Sequence, residues 1–576
     1  MRRKKEYHNL NLDRNSILKL VLILGLLTLG AVILEGKLFW VQIIHQKEYE
    51  QKAQNYQLLK IEIKANRGKI YDCRGTLLVT NTLSLEIAAD PTFVNDTSNL
   101  KKKYIFLKFL SQVTNKPVST FLKKLNTNKQ FVILAKDINV RYKQKLNNLK
   151  FFGIIINQNS QRSYPFDDLA ANVLGFTNSE DRGVTGIEYQ YDTLLKGYSG
   201  YIILKRDLRR NFHAGAELPS SESIDGSDIN LTIDADLQSI VEYELGKGME
   251  LTQADGASVI VMNPQTGEIL ALASSPSFNP NVLSERRSDL VRNRCITDIY
   301  EPGSTFKLIT AAAALEEKKV KPDELLNGHN GIYTVDGVTI NDTHPLGMIT
   351  FQEAIEHSSN IVFAQVASRL PHDTFSKYLR DFGFGLVTDI ELPSEAKGQL
   401  PRREQITRVM QRSIGYGYAI STTPLQMLCA YCVAANQGKL VKPYIVKSVT
   451  KSDGTVVYRG EPKVIRRVIS KETANLLKSL FTGIVDRGTG KAVRIKNLKI
   501  AGKTGTSRRL KDGIYVNQYN ASFVGFLPEE NPQIAMIVVL YNPKGNIYGG
   551  TTAAPIFRNI ALRIINSSDV LAKAKE

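Results

Sequence analysis

Cysteine and histidine are scarce in this chain of 576 residues, and their scarcity excludes several kinds of site. Four cysteines, Cys73, Cys295, Cys429 and Cys432, do not make a disulfide framework. The seven histidines show neither the H-E-x-x-H spacing nor a Cys/His cluster, so no metal site is predicted. Cys429 and Cys432 form a C-x-x-C inside the apolar helical pattern of residues 424–435, where core packing is favoured over a disulfide or a metal site.

The sequence also lacks a glycine-rich loop for phosphate. Neither G-x-x-x-x-G-K-[ST] nor a G-x-G-x-x-G after a strand pattern is present. The formal net charge is +19, but lysine and arginine are spread along the whole chain and form no basic stripe interleaved with aromatic residues. This distribution disfavours nucleic acid as a partner. It fits a protein that works between an anionic membrane surface and an anionic polymer.

Length and composition indicate a globular protein of several domains. A chain of 576 residues is too long for one ordinary core. Hydrophobic residues make up 43% and charged residues 23%, which argues against wholesale disorder. The predicted order is a basic cytoplasmic tail (1–16), a transmembrane signal anchor (17–40), a pedestal domain of mixed strand and helix (45–226) and an α/β domain (227–570).

An apolar segment near the N-terminus, Ile17 to Leu34, predicts the membrane anchor. Its 18 residues are at the short end of the length that crosses a bilayer, and the helix can continue through Trp40. No small-residue cleavage site follows, so an uncleaved anchor is expected. A buried helix of a soluble protein is disfavoured because the segment is apolar on all faces. The basic residues before it predict a cytoplasmic N-terminus, with the rest of the chain outside the membrane.

Two stretches of the predicted pedestal domain have a recognisable character. The segment from Arg67 to Gly75 is rich in turn residues, and its paired arginine and aspartate with two glycines predict a tight, salt-bridged corner. A structural role is favoured for this segment. Residues 101–148 are rich in lysine and asparagine and have helical periodicity, which indicates a solvated subdomain.

The second domain has strand patterns at both ends and helical patterns between them. The predicted strands are 229–233, 257–262, 269–273, 493–500, 521–527 and 534–541, with a hairpin formed by the second and third. The predicted helices are 236–252, 350–356 and 361–370. This order indicates an α/β (α+β) fold with a central, largely antiparallel sheet flanked by helices.

A candidate nucleophile lies between these elements, in the segment Glu301-Pro302-Gly303-Ser304-Thr305-Phe306-Lys307. The alanine-rich run after it predicts a helix with Ser304 in the first turn. Residues three apart share a face of a helix, so the Lys307 amine should lie beside the Ser304 hydroxyl. A lysine kept neutral by burial and cationic neighbours can take the serine proton. The helix dipole would favour the developing negative charge.

The Ser-x-x-Lys spacing alone has little weight. It occurs four more times, beginning at Ser16, Ser98, Ser394 and Ser448. Two later motifs give it context, Ser358-Ser359-Asn360 and Lys503-Thr504-Gly505. In this order the three motifs are the signature of class A β-lactamases and penicillin-binding proteins.

Acyl transfer explains the residue types of the first two motifs. It needs a nucleophile, a proton shuttle, an oxyanion hole and a clamp for the substrate. Ser304 is the predicted nucleophile and Lys307 the predicted base. Ser358 can relay a proton to the leaving amine, and the Asn360 amide can hold Lys307 and a substrate carbonyl.

The third motif supplies predicted substrate contacts. Lys503 adds positive field for a substrate carboxylate, and Thr504 and Thr506 offer hydroxyl groups. Gly505 would let an edge strand approach the substrate backbone closely. The backbone N–H groups of Ser304 and Thr506 are the predicted oxyanion hole.

From about residue 67 to 564 the chain resembles class B penicillin-binding proteins, which are membrane-anchored, monofunctional peptidoglycan D,D-transpeptidases. Besides the three motifs, the matching positions are Arg67, Gly68, Asp72, Gly75, Gly186, Glu188, Gly197, Asn293, Arg294, Thr297, Tyr300, Glu301-Pro302-Gly303, Gly415-Tyr416-Gly417, Thr423-Pro424-Leu425-Gln426 and Ala521 to Phe526. The chain departs from the family at Cys73-Arg74, where the usual pattern is arginine followed by asparagine or aspartate. Similarity to the division-specific type is carried by Tyr191-Asp192, Lys205-Arg206-Asp207 and the Gly-Tyr-Gly segment.

The resemblance implies that Ser304 attacks the D-Ala-D-Ala bond of a stem peptide and that the acyl group passes to an amine on a neighbouring stem. It implies slow release of β-lactams, no metal or organic cofactor and a place in the bacterial cytoplasmic membrane. Implied partners are nascent peptidoglycan, a SEDS-type glycosyltransferase and other proteins of the division complex. The alternatives are an elongation-specific transpeptidase, a D,D-carboxypeptidase or β-lactamase, and a catalytically silent receptor or scaffold.

Overall fold

The computed structural model describes residues 13–127, 129, 131–206, 212–214, 219–511 and 513–567. The chain divides into two compact units, residues 1–65 with 198–224 and residues 66–197 with 225–576. Most of the predicted basic tail, residues 1–12, lies outside the described residues, as does Asp207 of the Lys-Arg-Asp match.

The smaller unit begins with the predicted apolar helix. The helix spans Arg14–Phe39 and continues as a π-helical turn, Trp40–Ile44. These 31 residues extend about 46 Å at 1.5 Å per residue, which exceeds the hydrocarbon core of a bilayer. None of the helix residues Arg14–Phe39 is buried within the protein, as expected of a segment that meets lipid. A helix long and apolar enough to span a membrane is therefore present.

A second helix and a small antiparallel sheet complete this unit. The helix is Gln46–Gln57, and the sheet pairs Leu58–Ile63 with Gly200–Arg206. The strands Phe212–Ala214 and Ser220–Ser221 pair with the same strand, Gly200–Arg206.

The larger unit contains a seven-stranded sheet in its pedestal part. Its strands are Ile70–Tyr71, Leu77–Ala89, Val132–Asn139, Ile154–Ser163, Asp228–Leu231, Val446–Thr450 and Val456–Arg459. The last two follow the nucleophile segment in sequence, so one sheet joins distant parts of the chain. Helices of this part are Pro91–Val94, Leu100–Thr114, Val118–Leu125, Lys143–Leu149, Ala171–Leu174, Gly186–Gln190 and Asp192–Leu195.

The prediction of a solvated helical subdomain at residues 101–148 was incomplete. Val132–Asn139 is a strand, which the β-branched Val132 and Ile133 favour and in which Leu134 and Ile138 are buried. The helices on either side bury Phe106, Leu110 and other side chains against it in a separate hydrophobic core. Lysines cover only the outer face of this core.

The second sheet has five strands and is antiparallel throughout, as predicted. In spatial order the strands are Ile269–Ser275, Gly256–Met262, Ile534–Tyr541, Ile514–Leu527 and Ala501–Lys511. Alternate residues face two different cores: Val259 and Val261 belong to one, and Ile260 and Met262 to the other. The sheet is therefore the middle layer of three. Ala501–Lys511, at its rim, is called the edge strand below.

Helices cover both faces of this sheet. Ala235–Thr252 and Ala553–Ser567 lie on one face, where Phe557 packs 4.7 Å from Phe523. Pro424–Ala435 lies on the other face and buries all of its residues, including the unpaired Cys429 and Cys432. Further helices are Ser288–Val291, Arg294–Thr297, Lys307–Glu316, Phe351–Glu356, Asn360–Arg369, His372–Asp381, Arg408–Gly415 and Lys471–Asp486. Three two-stranded antiparallel sheets are Leu325–Asn327 with Met348–Thr350, the hairpin Ile332–Val335 with Val338–Asn341, and Lys439–Val441 with Val464–Arg467.

The predicted strand at 493–500 was wrong. Lys491–Val493 is a 3-10 turn, and Ile495 pairs back against Leu498. Asn497 makes this tight turn with a left-handed φ of 63°, a conformation that asparagine tolerates. The strand begins only at Ala501, so the Lys-Thr-Gly motif lies inside it.

The prediction of a salt bridge between the arginine and the aspartate of the corner at residues 67–75 was also wrong. The fully buried Arg67 guanidinium lies 2.7 Å from the carboxylates of Glu188 and Asp192, far along the chain. Asp72 instead accepts hydrogen bonds from the backbone N–H groups of Arg74 and Thr76, at 2.9 and 2.6 Å. The two glycines of this corner are required for different reasons. A Cβ at Gly68 would lie 1.9 Å from the Ser227 carbonyl oxygen, and Gly75 has a φ of +91°.

We expect Arg67→Ala to destabilise the protein by about 3–5 kcal/mol, because it leaves the buried Glu188 carboxylate short of a partner. The measurement is denaturant unfolding of the detergent-solubilised chain. Arg74→Ala is the matched control, since Arg74 is half exposed and pairs with Asp234 and with the exposed Asp236. Its expected cost is below about 1 kcal/mol. Equal costs for the two variants would contradict the assignment of Arg67 as a buried structural ion pair.

Candidate active site

The predicted nucleophile lies in a 3-10 turn that leads into a buried helix. The turn is Gly303–Phe306 and the α-helix begins at Lys307, so Ser304 precedes the α-helix and does not lie in its first turn as predicted. In a 3-10 turn residues three apart are nearly eclipsed, which aligns Ser304 with Lys307. The Lys307 amine donates to the Ser304 hydroxyl oxygen at 3.1 Å. Burial of residues 307–315 on every side fixes this pair in place.

Gly303 allows the turn to fit against its neighbours. Its φ is +54°, and a Cβ would meet the Thr506 carbonyl oxygen and the Ser507 Cβ at 3.2 Å. Its N–H donates to the Gly417 carbonyl oxygen at 3.0 Å. The nucleophile turn is thus held between the Gly-Tyr-Gly segment and the edge strand.

The Ser-x-Asn motif meets the lysine from the other side. The Lys307 amine lies 3.0 Å from the Ser358 hydroxyl oxygen, 2.6 Å from the Ser358 carbonyl oxygen and 2.8 Å from Asn360 Oδ1. The Ser358 hydroxyl in turn lies 3.0 Å from the Ser304 hydroxyl. Four predicted residues therefore form one hydrogen-bonded cluster, in which a proton can pass between two hydroxyls and an amine.

The environment of Lys307 favours its neutral form. Burial lowers the pKa of Lys307 well below its ordinary value, and the positive charge of Lys503 lowers this pKa further. Asp342 opposes the shift. A neutral amine has a lone pair that can accept the Ser304 proton, which an ammonium group lacks.

The Lys-Thr-Gly motif lies on the edge strand. The Lys503 amine is fully buried and donates to the Thr504 carbonyl oxygen at 3.1 Å, and burial lowers the pKa of Lys503 to about 7. Its charge acts on Lys307 through space, whereas the other four members of the predicted set touch one another. The Thr504 hydroxyl lies 2.9 Å from that of Thr489.

Gly505 and Thr506 have contacts within the protein that the sequence did not indicate. A Cβ at Gly505 would lie 2.4 Å from the Ser522 hydroxyl oxygen and 2.9 Å from the Thr305 methyl carbon. Packing alone therefore requires glycine here, and its part in substrate approach stays a prediction. The Thr506 hydroxyl accepts from the Gly549 N–H at 3.1 Å. Among the strands of the described residues, the edge strand pairs with one neighbour only, so the backbone on its outer side can pair with another chain.

Comparison with known proteins places this arrangement in a family. Residues 257–562 match the penicillin binding protein transpeptidase domain, and residues 62–231 match the penicillin-binding protein dimerisation domain. The chain belongs to the penicillin-binding protein family.

The similarity of this penicillin-binding protein to its relatives extends over nearly the whole chain. It is 33% identical over 556 residues to stage V sporulation protein D of Bacillus subtilis, covering 94% of this chain and 84% of the relative. It is 30% identical to peptidoglycan D,D-transpeptidase FtsI of Escherichia coli, covering 96% and 92%.

Solved structures show the same fold at lower identity. Penicillin binding protein 3 of Mycobacterium tuberculosis, complexed with aztreonam, matches with a TM-score of 0.69 and 26% identity, covering 88% of this chain and 97% of that one. Penicillin binding protein 2X of Streptococcus thermophilus matches with a TM-score of 0.73 and 26% identity, covering 89% and 81%.

Asp342 is a residue of this penicillin-binding protein that sequence reasoning missed. Its carboxylate accepts from the Ser359 hydroxyl at 2.5 Å and from the N–H groups of Asn360 and Ile361 at 2.5 and 3.2 Å. It therefore caps the helix Asn360–Arg369 and fixes the motif, in which Ser358 has a left-handed φ of 60° that costs about 1–3 kcal/mol. Its position after a short hairpin gave no sequence signal for this contact.

We expect Asp342→Ala to lower the rate of acylation by penicillin about 10²-fold, because a shift of about 1 Å in the Ser-x-Asn loop misplaces the proton relay. Asp342→Asn is the matched variant, since its amide oxygen keeps the backbone contacts but removes the charge. Without that charge the pKa of Lys307 falls further, so the pH–rate profile should move to lower pH with a small loss of rate. Similar rates and profiles for both variants and the wild type would contradict a positioning role.

Proposed function

We propose that this chain is a peptidoglycan D,D-transpeptidase with Ser304 as its nucleophile. The observation that carries the proposal is the cluster of two hydroxyls around a buried lysine amine, with both oxygens within 3.1 Å of the nitrogen. The family of the chain and the relatives named peptidoglycan D,D-transpeptidase FtsI support the same reaction.

In the first half-reaction the Ser304 oxygen attacks the carbonyl carbon of the D-Ala-D-Ala bond while Lys307 takes the hydroxyl proton. The backbone N–H groups of Ser304 and Thr506 would stabilise the oxyanion of the tetrahedral intermediate. Its collapse breaks the C–N bond. The proton passes from Lys307 through the Ser358 hydroxyl to the leaving amine, and D-alanine departs.

In the second half-reaction an amine of a neighbouring stem peptide attacks the acyl carbon. The proton of that amine passes through Ser358 to Lys307 and returns to the Ser304 oxygen, which leaves as a hydroxyl group. Asn360 would hold a substrate carbonyl, and Lys503 with Thr504 and Thr506 would hold a substrate carboxylate. A β-lactam would acylate Ser304 in the same way, and its opened ring would remain attached.

The proposed reaction also assigns a role to each part of the chain. Residues 17–40 would anchor the chain with its N-terminus in the cytoplasm, because basic residues precede the apolar helix. Residues 45–226 would form the pedestal and residues 227–570 the transpeptidase domain outside the membrane. Metal ions and organic cofactors have no step in this reaction.

We assign the reaction to septal cell-wall synthesis, with a SEDS-type glycosyltransferase and other division proteins as partners. The relatives named FtsI support this assignment. A tagged copy should gather at mid-cell, and placement along the side wall would favour the elongation-specific alternative.

Transfer and hydrolysis are distinguished with the purified full-length chain in detergent. A stem pentapeptide donor and an amine acceptor should give a cross-linked product with release of D-alanine. Hydrolysis without any cross-linked product would overturn the transpeptidase in favour of a carboxypeptidase or β-lactamase. Failure of labelled penicillin to attach would favour a silent receptor or scaffold.

A further inference from the structure

A groove of about 850 Å³ lies beside the nucleophile turn and outside the catalytic cluster. Glu301, three residues before the nucleophile, lines it, as does Leu510 of the edge strand. Its wall is preformed. The Gln426 amide donates to the carbonyl oxygens of Leu386 and Lys397 at 2.6 and 2.9 Å, which holds the loop that carries most of the lining.

Three cations and an apolar floor give this groove its chemistry. Arg380, Lys397 and Arg402 are exposed, and none has an ion-pair partner within the described part of the chain. The exposed Leu386 and the partly exposed Leu400 supply apolar surface in the same groove. Unpaired guanidinium and ammonium groups around a concave surface favour a ligand that carries carboxylates.

Glu301 gives an independent indication that a ligand binds in this groove. Its side chain is buried, with 6% exposed, and its Oε1 accepts from the Ala419 N–H at 2.8 Å and the Tyr515 hydroxyl at 3.1 Å. Its Oε2 has no hydrogen-bond donor in the described structure. A buried carboxylate oxygen without a donor is costly, and an amide N–H or an ammonium group of a ligand would satisfy it.

We propose that this groove binds the carboxylate-bearing part of a stem peptide whose reacting end lies at Ser304, an inference that rests on the proposed function. Leu510 lies five residues beyond Gly505 on the edge strand, about 17 Å at 3.3 Å per residue. An extended peptide of about five residues along the free side of this strand spans that distance. Its carboxylates then meet the three cations, and an N–H group meets Glu301.

The test reverses the charge of the groove with the double variant Lys397→Glu, Arg402→Glu in the full-length chain. The probes are a stem pentapeptide with free side-chain carboxylates and the same peptide with those carboxylates amidated. Wild type should prefer the carboxylate peptide. In the double variant kcat/KM for that peptide should fall about tenfold, while the amidated peptide loses little, so that the preference reverses.

Matched controls separate this effect from general charge and from folding. Lys451→Glu, Lys471→Glu makes the same change in net charge at exposed positions away from the groove and should leave the preference unchanged. Arg380→Glu provides a third, independent position on the groove and should act in the same direction as the double variant.

Two arms distinguish the donor from the acceptor peptide. In the donor experiment the carboxylate peptide acylates the protein in a single turnover. In the acceptor experiment the carboxylate peptide accepts an acyl group from a small uncharged donor. A charge-dependent change in either arm supports the proposal and assigns the groove to that peptide. An unchanged preference in both arms, with normal penicillin labelling, would overturn the proposal alone. Loss of penicillin labelling in the wild type would instead overturn the proposed function.

Discussion

Replacement of Ser304 by alanine should abolish covalent labelling by penicillin while the protein stays folded. The hydroxyl oxygen is the atom proposed to form the acyl bond, and no other oxygen in the cluster has the same place on the nucleophile turn. The lost hydrogen bonds to Lys307 and Ser358 should cost about 1 kcal/mol of stability. Gel fluorescence of a labelled penicillin measures the covalent labelling, and thermal unfolding measures the change in stability.

Ser448→Ala is the control for this experiment. Ser448 has the same Ser-x-x-Lys spacing, but it lies on a strand of the pedestal sheet and its hydroxyl accepts from the Asn230 amide. Its variant should label fully. Labelling of Ser304→Ala at the wild-type level would contradict Ser304 as the nucleophile.

Replacement of Lys307 by glutamine should lower the rate of acylation about 10²- to 10⁴-fold, the usual contribution of a general base. Glutamine keeps hydrogen-bond donors near Ser304 and Asn360 but has no basic nitrogen. The rate constant for acylation, measured by stopped-flow with a chromogenic β-lactam, separates this effect from initial binding, which should change far less.

The pH dependence of this rate gives a second readout. The neutral amine is the base, so the wild-type rate should fall as the pH drops through the pKa of Lys307 and should stay level above it. Because burial and Lys503 lower that pKa, the fall should occur well below the ordinary pKa of lysine. The glutamine variant should lack this limb, and the exposed Lys319→Gln should behave as wild type. An identical limb in the Lys307 variant would show that another group is the base.

Elements with strong local signals were predicted from the sequence with close boundaries. The hairpin around Asn263-Pro264-Gln265-Thr266-Gly267 and the helix Phe351–Glu356 depend on turn residues and periodicity that lie within a few positions. The capping pair Thr350 and Glu353 is equally local. These elements can be predicted because residues close in sequence determine them.

Long-range contacts escaped sequence reasoning. The partners of Arg67 lie more than 110 residues away, so the nearby Asp72 was the only acidic partner the pattern offered. Asp342 reaches the Ser-x-Asn motif through a hairpin whose placement depends on the whole domain. The strand predicted at 493–500 failed because a single left-handed residue, Asn497, turned the apolar run back on itself.

The three motifs of the site were found because each one is short and their order is specific. The secondary structure around them differs in part from the prediction, since Ser304 lies in a 3-10 turn and Lys503 lies inside a strand. The groove beyond Glu301 had no motif at all. Arg380 lies on the helix His372–Asp381, whereas Lys397 and Arg402 lie on the long loop that follows it, and only the folding of that loop brings the three together.

The central claim, that a stem peptide is carried on Ser304, is tested most directly by peptide mapping of a trapped acyl-enzyme. The full-length chain is mixed briefly with a stem pentapeptide ending in D-Ala-D-Ala, quenched in acid and digested for tandem mass spectrometry. The account predicts that the fragment containing Ser304 gains the mass of the pentapeptide minus that of free D-alanine, which equals the mass of the tetrapeptide minus one water. An adduct on another residue, or release of D-alanine with no adduct on Ser304, would contradict it.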